Sequence, residues 1–385
     1  MIFSLEALQA KQGDCLILHY GKPEAPGLIV IDGGPAGVYN QFLKGRLGAI
    51  RQSLVGADPL PVKMVMVSHA DDDHINGILS MTNDLVGEME DQKPVSLKVD
   101  NFWFNSFDDI IGNEEVVAAA MSKPAPAGAD SHAVAVIAST GQGRNIRNNA
   151  KKLGWVVNSP FTALTGSNAV LVRGDTNRSK VTLGDLKLTV LNPDEQRLKD
   201  LQVQWDKDLK KAKQAGDTSV MVAALTVGDD TSPFNLSSIV CMAEFSGKRL
   251  LLTGDGRCDD IYAGLKQNGF LDAGGKVHVD VLKMPHHGSF HNMNTDFLDK
   301  VTADHYVISA SGKYSNPDQE TLNMMAAHVK KGTLHVTNHD GELGLKAKLD
   351  GFVTHLASIG SSLKVTFRDT AKPSLVINLL DKLPY

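Results

Sequence analysis

The stretch from residue 64 to 78, MVMVSHADDDHINGI, constrains this chain more than any other. Met64 to Val67 is apolar and bounded by polar residues, so it predicts a short buried strand. His69, Asp71, Asp73 and His74 follow at once, four candidate metal ligands within six residues. Imidazole and carboxylate together suit zinc, manganese or iron. His69 and Asp71 are two apart and point the same way from an extended segment. Asp73 and His74 are adjacent and can face a second ion once the chain turns into a helix, predicted from Ile75 to Thr82. One strand end can therefore feed two ions about 3.5–4 Å apart, the spacing used for hydrolysis. Three aspartates alone would read as a solvated acidic loop; the flanking histidines and the apolar strand before them argue for a metal site. A calcium loop is excluded, because Asp71 and Asp73 are followed by Ile75 and Asn76 where D-x-D-x-[DN]-G is required.

S-H-A-D-D-D-H resembles the H-x-[HD]-x-D-H signature of the metallo-β-lactamase fold. With Asp at the third position it is similar to the branch that contains the soluble metallohydrolase domain of the DNA-uptake competence channel protein, and the phosphorylcholine esterases. Further segments match in order: Q-G-D-C-L-I-L and I-V-I-D-G-G near the N-terminus, N-L-S-S and L-L-T-G-D between residues 235 and 255, and P-H-H-G-S at 285–289. The likeness covers residues 10 to 80 and 233 to 345 and is thin between them. It implies an αββα sandwich, with two β-sheets face to face, helices on both outer sides and the active site at one edge.

The resemblance also implies a ligand set for two divalent ions, zinc or manganese. His69, Asp71 and Asp255 would hold the first, and Asp73, His74, Asp255 and His287 the second. Three carboxylates suit hard ions, which makes manganese a rival to zinc. Asp255 ends a run of leucines, where an unpaired carboxylate is costly. Adjacent histidines at a strand end point in different directions, so His287 is assigned to metal and His286 to the substrate side. Asp32, at the end of the strand before D-G-G, can brace a ligand from behind, and the glycines let backbone approach closely. Asn235 stands in the neighbourhood where the family often has a histidine. The first ion is thereby one ligand short, for Asn235 or water to supply.

Length and composition set the frame around this site. At 385 residues the chain could hold two average domains or one large α/β domain with an insertion. We read one domain over 1–385, with 83–232 as an elaborated connection within it that partly covers the site. A net charge of −5 gives no support for broad nucleic-acid binding, although it permits a local basic patch. The three cysteines, Cys15, Cys241 and Cys258, imply neither a disulfide framework nor a zinc knuckle. The N-terminus lacks the basic start and apolar core of a signal peptide, and no apolar run reaches the ~18 residues of a membrane span. A cytoplasmic protein with no membrane partner is expected.

Other strands are predicted at Ile2–Leu8, Cys15–His19, Gly27–Ile31, Ser96–Phe104, Leu186–Leu191, Val279–Met284, Asp304–Ala310 and Thr333–Thr337. An antiparallel pair turns at Ser246-Gly247, and the tail from Leu363 adds one or two more. Helices are predicted over Tyr39–Leu54, Glu114–Ser122, Gln142–Leu153, Glu195–Ala215, Asp259–Gly269 and Thr321–Lys330. The helix at 142–153 carries Arg144, Arg147, Lys151 and Lys152, the most basic run in the chain. A solvated helix face explains it; an anion-steering surface is the functional alternative.

The chemistry implied by the family is hydrolysis by a metal-bridging hydroxide, on a phosphodiester or a nucleic acid. Asp73 is expected to be essential, and His286 or His291 to orient the oxyanion or protonate the leaving group. Ser289, Asn292, Arg144 and Arg147 are candidate substrate contacts. An esterase or lactonase acting on a small molecule is the alternative enzyme. A metal-stabilised binding module with little activity is the alternative outside enzymes.

Overall fold

A computed structural model describes residues 1–54, 56–105, 131–161, 169–172, 179–199, 235 and 237–385. Side chains of 131–141 fall outside that description, as do the expected helix at 114–122, the loop at 124–130 and all but the first turn of the helix expected at 195–215.

The first sheet contains β1 (Ile2–Leu8), β2 (Leu16–Lys22), β3 (Ala25–Ile31), β4 (Leu60–Met66), β5 (Leu97–Trp103), β6 (Val156–Val157) and β15 (Ser374–Asn378), in the order β15-β1-β2-β3-β4-β5-β6. The second contains β7 (Lys180–Leu183), β8 (Leu186–Asn192), β9 (Val240–Phe245), β10 (Lys248–Leu252), β11 (Val277–Lys283), β12 (Val301–Ile308), β13 (Lys331–Val336) and β14 (Ser362–Phe367), in the order β14 back to β7. The α-helices among the described residues include α1 (Lys44–Ser53), α2 (Asp72–Glu90), α3 (Ser131–Lys152), α4 (Cys258–Gln267), α5 (Thr295–Lys300), α6 (Gln319–His328) and α7 (Leu345–Ser358).

Strand alternation decides the layers. Phe3, Leu5 and Ala7 of β1 meet Val190, Ala243 and Leu250 of the second sheet in one core between the sheets. The opposite faces carry two further cores. Ile17, Val30 and Val65 pack under Ile50, Ile78 and Met81 of α1 and α2. Leu251, Val279 and Leu334 pack under Ile261, Leu322 and Phe352 of α4, α6 and α7. This is the expected αββα sandwich. Buried leucines and isoleucines are worth about 1.5–3 kcal/mol each, so these three layers, rather than the polar edge, hold the fold.

Parallel pairing positions the site. β3, β4 and β5 run parallel, as do β10, β11, β12 and β13. Their C-terminal ends therefore open on one edge of the sandwich, where Asp32, Ser68, Asp255, His286 and Ser309 lie just beyond strands. Within the span 83–232, β5 and β6 extend the first sheet, and β7 and β8 extend the second. The helix expected from Ile75 begins at Asp72 and runs to Glu90, which brings Asp73 and His74 into its first turn. Helix α7 lies in a stretch where the sequence pattern predicts no element. Among the described residues no helix is long and apolar enough to cross a membrane.

Candidate metal centre

Asp73, His74, Asp255 and His287 converge at the open edge. The Nε2 atoms of His74 and His287 are 3.2 Å apart. Asp255 Oδ1 is 3.4 Å from His74 Nε2, and Asp255 Oδ2 is 3.5 Å from His287 Nε2. Asp73 approaches His287 at 3.6 Å and His74 at 3.9 Å. Two ligands of one tetrahedral ion, each about 2.0–2.1 Å from it, stand about 3.4 Å apart. These separations are therefore those of ligands around a common ion.

The ring tautomers support this. His74 Nδ1 lies 2.9 Å from Asp32 Oδ2, and His287 Nδ1 lies 2.8 Å from the Ser309 carbonyl oxygen. Both acceptors require a proton on Nδ1, so in the neutral rings both Nε2 atoms present lone pairs to each other. Lone pairs at that separation repel unless positive charge lies between them. The protonation behaviour expresses the same demand. Burial disfavours the imidazolium at both rings, yet Asp255, Asp32 and Asp73 carry His74 well above its ordinary value. Asp255 and Asp14 likewise outweigh burial and raise His287 to about 10. Burial would lift the Asp255 carboxyl, but His74, His287 and His286 hold it far below the usual carboxylate range.

A second group adjoins the first through Asp255. His69 Nε2 is 3.5 Å from Asp71 Oδ2 and 3.7 Å from Asp255 Oδ2. His69 Nε2 and Asp255 Oδ1 are buried and make no hydrogen bond. Leaving buried polar atoms unpaired costs about 1–3 kcal/mol each, and coordination to metal would remove that cost. Asp71 is the N-cap of α2, a position where an aspartate normally accepts from the helix and contributes about 1 kcal/mol. Its side chain makes no capping bond and turns to His69 instead. Burial works against the Asp71 charge, and the neighbouring His69 still lowers its pKa. The residues present thus fit bound cations, and the His/Asp groups with metal-binding spacing found among the described residues lie here.

The support behind the ligands is backbone and carboxylate. Asp32 has a left-handed φ of 56° and accepts from both the Ser68 N–H and the Ser68 hydroxyl at 2.7 Å. Ser68 Oγ also lies 3.0 Å from His69 Nδ1, so one aspartate steadies the first and last histidines of the motif. A Cβ on Gly77 would stand 1.9 Å from the Gly33 carbonyl oxygen, and Gly33 N–H donates to the His74 carbonyl at 2.7 Å. The D-G-G turn therefore docks directly on the ligand helix, as the close-approach reading of its glycines expects.

Several other expected residues take definite places. Asn235 is buried and its Oδ1 makes no hydrogen bond. His291 is exposed on the turn Phe290–Asn292. Ser289 and Asn292, expected to face substrate, are buried. Asn292 Nδ2 donates to the Asp255 carbonyl at 2.8 Å, and its Oδ1 lies 2.8 Å from His286 Nδ1, so it braces the site. Arg144 and Arg147 lie half-buried on α3, which packs along α2 with Gln142 Nε2 donating to Asp72 Oδ1 at 3.4 Å.

Sequence pattern alone assigns no role to two further residues. Lys283 and Asp14 form an ion pair at 2.6 Å, each only 1% exposed. Asp14 Oδ1 lies 3.6 Å from His287 Nδ1. Burial raises the Asp14 carboxyl, and Lys283 and His287 outweigh that and lower it far below its usual value. The available signal was a lysine at the buried end of an apolar strand, immediately before M-P-H-H.

No family model and no curated protein matches the chain. Among solved structures it is similar to a candidate metal-dependent hydrolase from Parabacteroides distasonis, with a TM-score of 0.35 and 12% identity over 95% of this chain and 93% of that one. It is similar to CmlA, a diiron β-hydroxylase from Streptomyces venezuelae, with a TM-score of 0.39 and 10% identity over 97% of this chain and 54% of that one. A protein of unknown function from Enterococcus faecalis gives a TM-score of 0.29 and 10% identity over 96% and 88%. The chain spans about half the length of CmlA. These three are too distant to carry activity, metal or substrate across.

Proposed function

We propose that the chain is a metal-dependent hydrolase with two ions sharing Asp255, and that its substrates are phosphodiesters. The observation that carries the proposal is the convergence of Asp73, His74, Asp255 and His287 at ligand spacing, with two imidazole lone pairs 3.2 Å apart. Ions held there supply a water of lowered pKa and stabilise charge on the attacked group. Asp255 fixes the spacing of the two positions. Asp32 and the Ser309 carbonyl keep Nδ1 protonated on His74 and His287, so that Nε2 remains a donor to metal. His291 is the candidate proton donor to the leaving oxygen. Zinc and manganese both suit three carboxylates with imidazoles.

A second enzyme reading, an esterase or lactonase, is favoured by one feature. Phe290 is 41% exposed just after the strand-end turn that carries His286 and His287, and Tyr314 is 68% exposed on a loop whose Asn316 donates to the His286 carbonyl. Such side chains suit an apolar acyl group as well as a nucleobase.

The deciding experiment uses purified protein loaded with Zn²⁺ or Mn²⁺ on bis-p-nitrophenyl phosphate, plasmid DNA, RNA and a lactone panel. Turnover of the diesters is expected, abolished by Asp73→Ala with the fold intact, because Asp73 is 20% exposed at the open edge and contributes little core packing. Lactone hydrolysis without diester turnover would transfer the reading to the esterase. Equal rates in wild type and Asp73→Ala on every substrate would favour a binding module.

A further inference from the structure

His286 and His287 are consecutive, and both have left-handed backbone, with φ of 45° and 55°. Residues with a Cβ in that region cost about 1–2 kcal/mol each, so a tandem pair needs a compensating gain. The conformation brings both rings to one atom. His286 Nε2 and His287 Nε2 each stand 3.5 Å from Asp255 Oδ2. A turn that presented one histidine to metal and the other to substrate would not require that convergence.

The tautomer of His286 is also set by its surroundings. The Asp255 carbonyl can only accept, so the atom of Asn292 facing it is the amide Nδ2. The Asn292 Oδ1 is then an acceptor, and His286 Nδ1, 2.8 Å away, carries the proton. Nε2 keeps its lone pair and points at the shared carboxylate. His74 and His287 are held in the same state by Asp32 and by the Ser309 carbonyl. Meanwhile His69, Asp71 and Asp255 bring a single imidazole to the first ion position.

We propose that His286 is a metal ligand that completes the first position with His69, Asp71 and Asp255, so that the tandem histidines divide between the two ions. This rests on the binuclear reading above. It replaces the substrate-facing role expected for His286, and it supplies the nitrogen ligand that Asn235 cannot.

The test measures metal and not turnover. Glycine adopts left-handed backbone without strain, so His286→Gly keeps the turn while removing the imidazole. Zn²⁺ binding is followed by calorimetry and elemental analysis on wild type, His286→Gly and Asn235→Ala, with circular dichroism confirming the fold. Wild type is expected to take two Zn²⁺ per chain. His286→Gly is expected to keep one at wild-type affinity and to weaken the other by about 100-fold or more, above the effect of most outer partners of a ligand. X-ray absorption at the zinc edge should lose imidazole scattering in proportion. Two ions at wild-type affinity in His286→Gly would overturn the inference alone, as would loss of the weaker ion in Asn235→Ala but not in His286→Gly. A wild type that takes one ion also overturns it, and one that takes none overturns the hydrolase reading with it.

Discussion

Gly13 and Asp73 meet so closely that a Cβ on Gly13 would stand 1.8 Å from the Asp73 carbonyl oxygen. The turn between β1 and β2 thus forms the floor beneath the first turn of α2. Ser309 ties that floor to the opposite sheet: its hydroxyl donates to the Gly13 carbonyl at 2.6 Å, while its own carbonyl accepts from His287. Gly13→Ala should therefore push Asp73 and His74 away from His287. We expect a stability loss of about 1–3 kcal/mol, as for an overpacked core, with the Zn²⁺ site that includes His287 weakened more than the other. Thermal melting and calorimetric titration check this; unchanged Zn²⁺ affinity would remove Gly13 from the account of the site.

The Asp14–Lys283 pair is buried on both sides, so removing one partner leaves a charge without compensation. Lys283→Met should destabilise the metal-free protein by about 3–5 kcal/mol, and adding Asp14→Asn should restore most of that. Urea midpoints of the two variants read the difference directly. A double variant no more stable than Lys283→Met would show that the lysine stem, rather than the charge, holds the turn.

The candidate ligands that the structure brings together were legible because each is local to a strand end. His69 to His74 follow β4, Asp255 follows β10 and His287 follows β11, and strand ends can be read from apolar runs bounded by polar residues. Asp14 and Lys283 were not legible as a pair. One lies in the turn between β1 and β2 and the other on β11 of the opposite sheet, and only the stacking of the two sheets brings them together. Helix α2 begins earlier than its apolar periodicity, at Asp72, because Asp72 and Asp73 sit favourably at the positive end of its dipole. Ser289 and Asn292 are candidate substrate contacts in the sequence because they share a loop with His286 and His287, yet both are buried. The left-handed backbone at His286 and His287 redirects the chain, and Asn292 turns inward to the Asp255 carbonyl.

Outside the candidate metal centre, His335 on β13 makes a testable contribution to acid sensitivity. Burial lowers its pKa from 6.5 to about 4, helped by the neighbouring His305, whose Nδ1 lies 3.0 Å from His335 Nε2. Above pH 6.5 the ring is neutral in both folded and unfolded chains and contributes no pH dependence. As pH falls from 6.5 toward 4, the unfolded chain takes up the proton first, so stability is lost across that window. His335→Gln should remove this component, leaving a shallower fall in denaturation midpoint between those limits than wild type shows. Parallel profiles for the two proteins would rule His335 out as a source of the acid sensitivity.

If the substrate is a phosphodiester, the choice between a polymer and a small diester turns on α3. Gln142 bonds Asp72 and Asn149 bonds Asn83 at 2.7 Å, so α3 runs alongside α2 in the same direction. The helix backbone from 131 to 141 therefore continues past the first turn of α2, by about 16 Å at 1.5 Å per residue. A long polyanion entering the metal edge would pass this helix, whereas a small chromogenic diester would not reach it. If nucleic acid is the substrate, reversing the charge at Arg144 and Arg147 should raise KM for plasmid DNA. It should also flatten the salt dependence of KM, by about one unit of slope for each phosphate that the helix no longer neutralises. The rate on bis-p-nitrophenyl phosphate should barely change. An equal fall in rate on both substrates would mean that the two arginines hold α3 against its neighbours, and that the basic run serves the fold rather than the substrate.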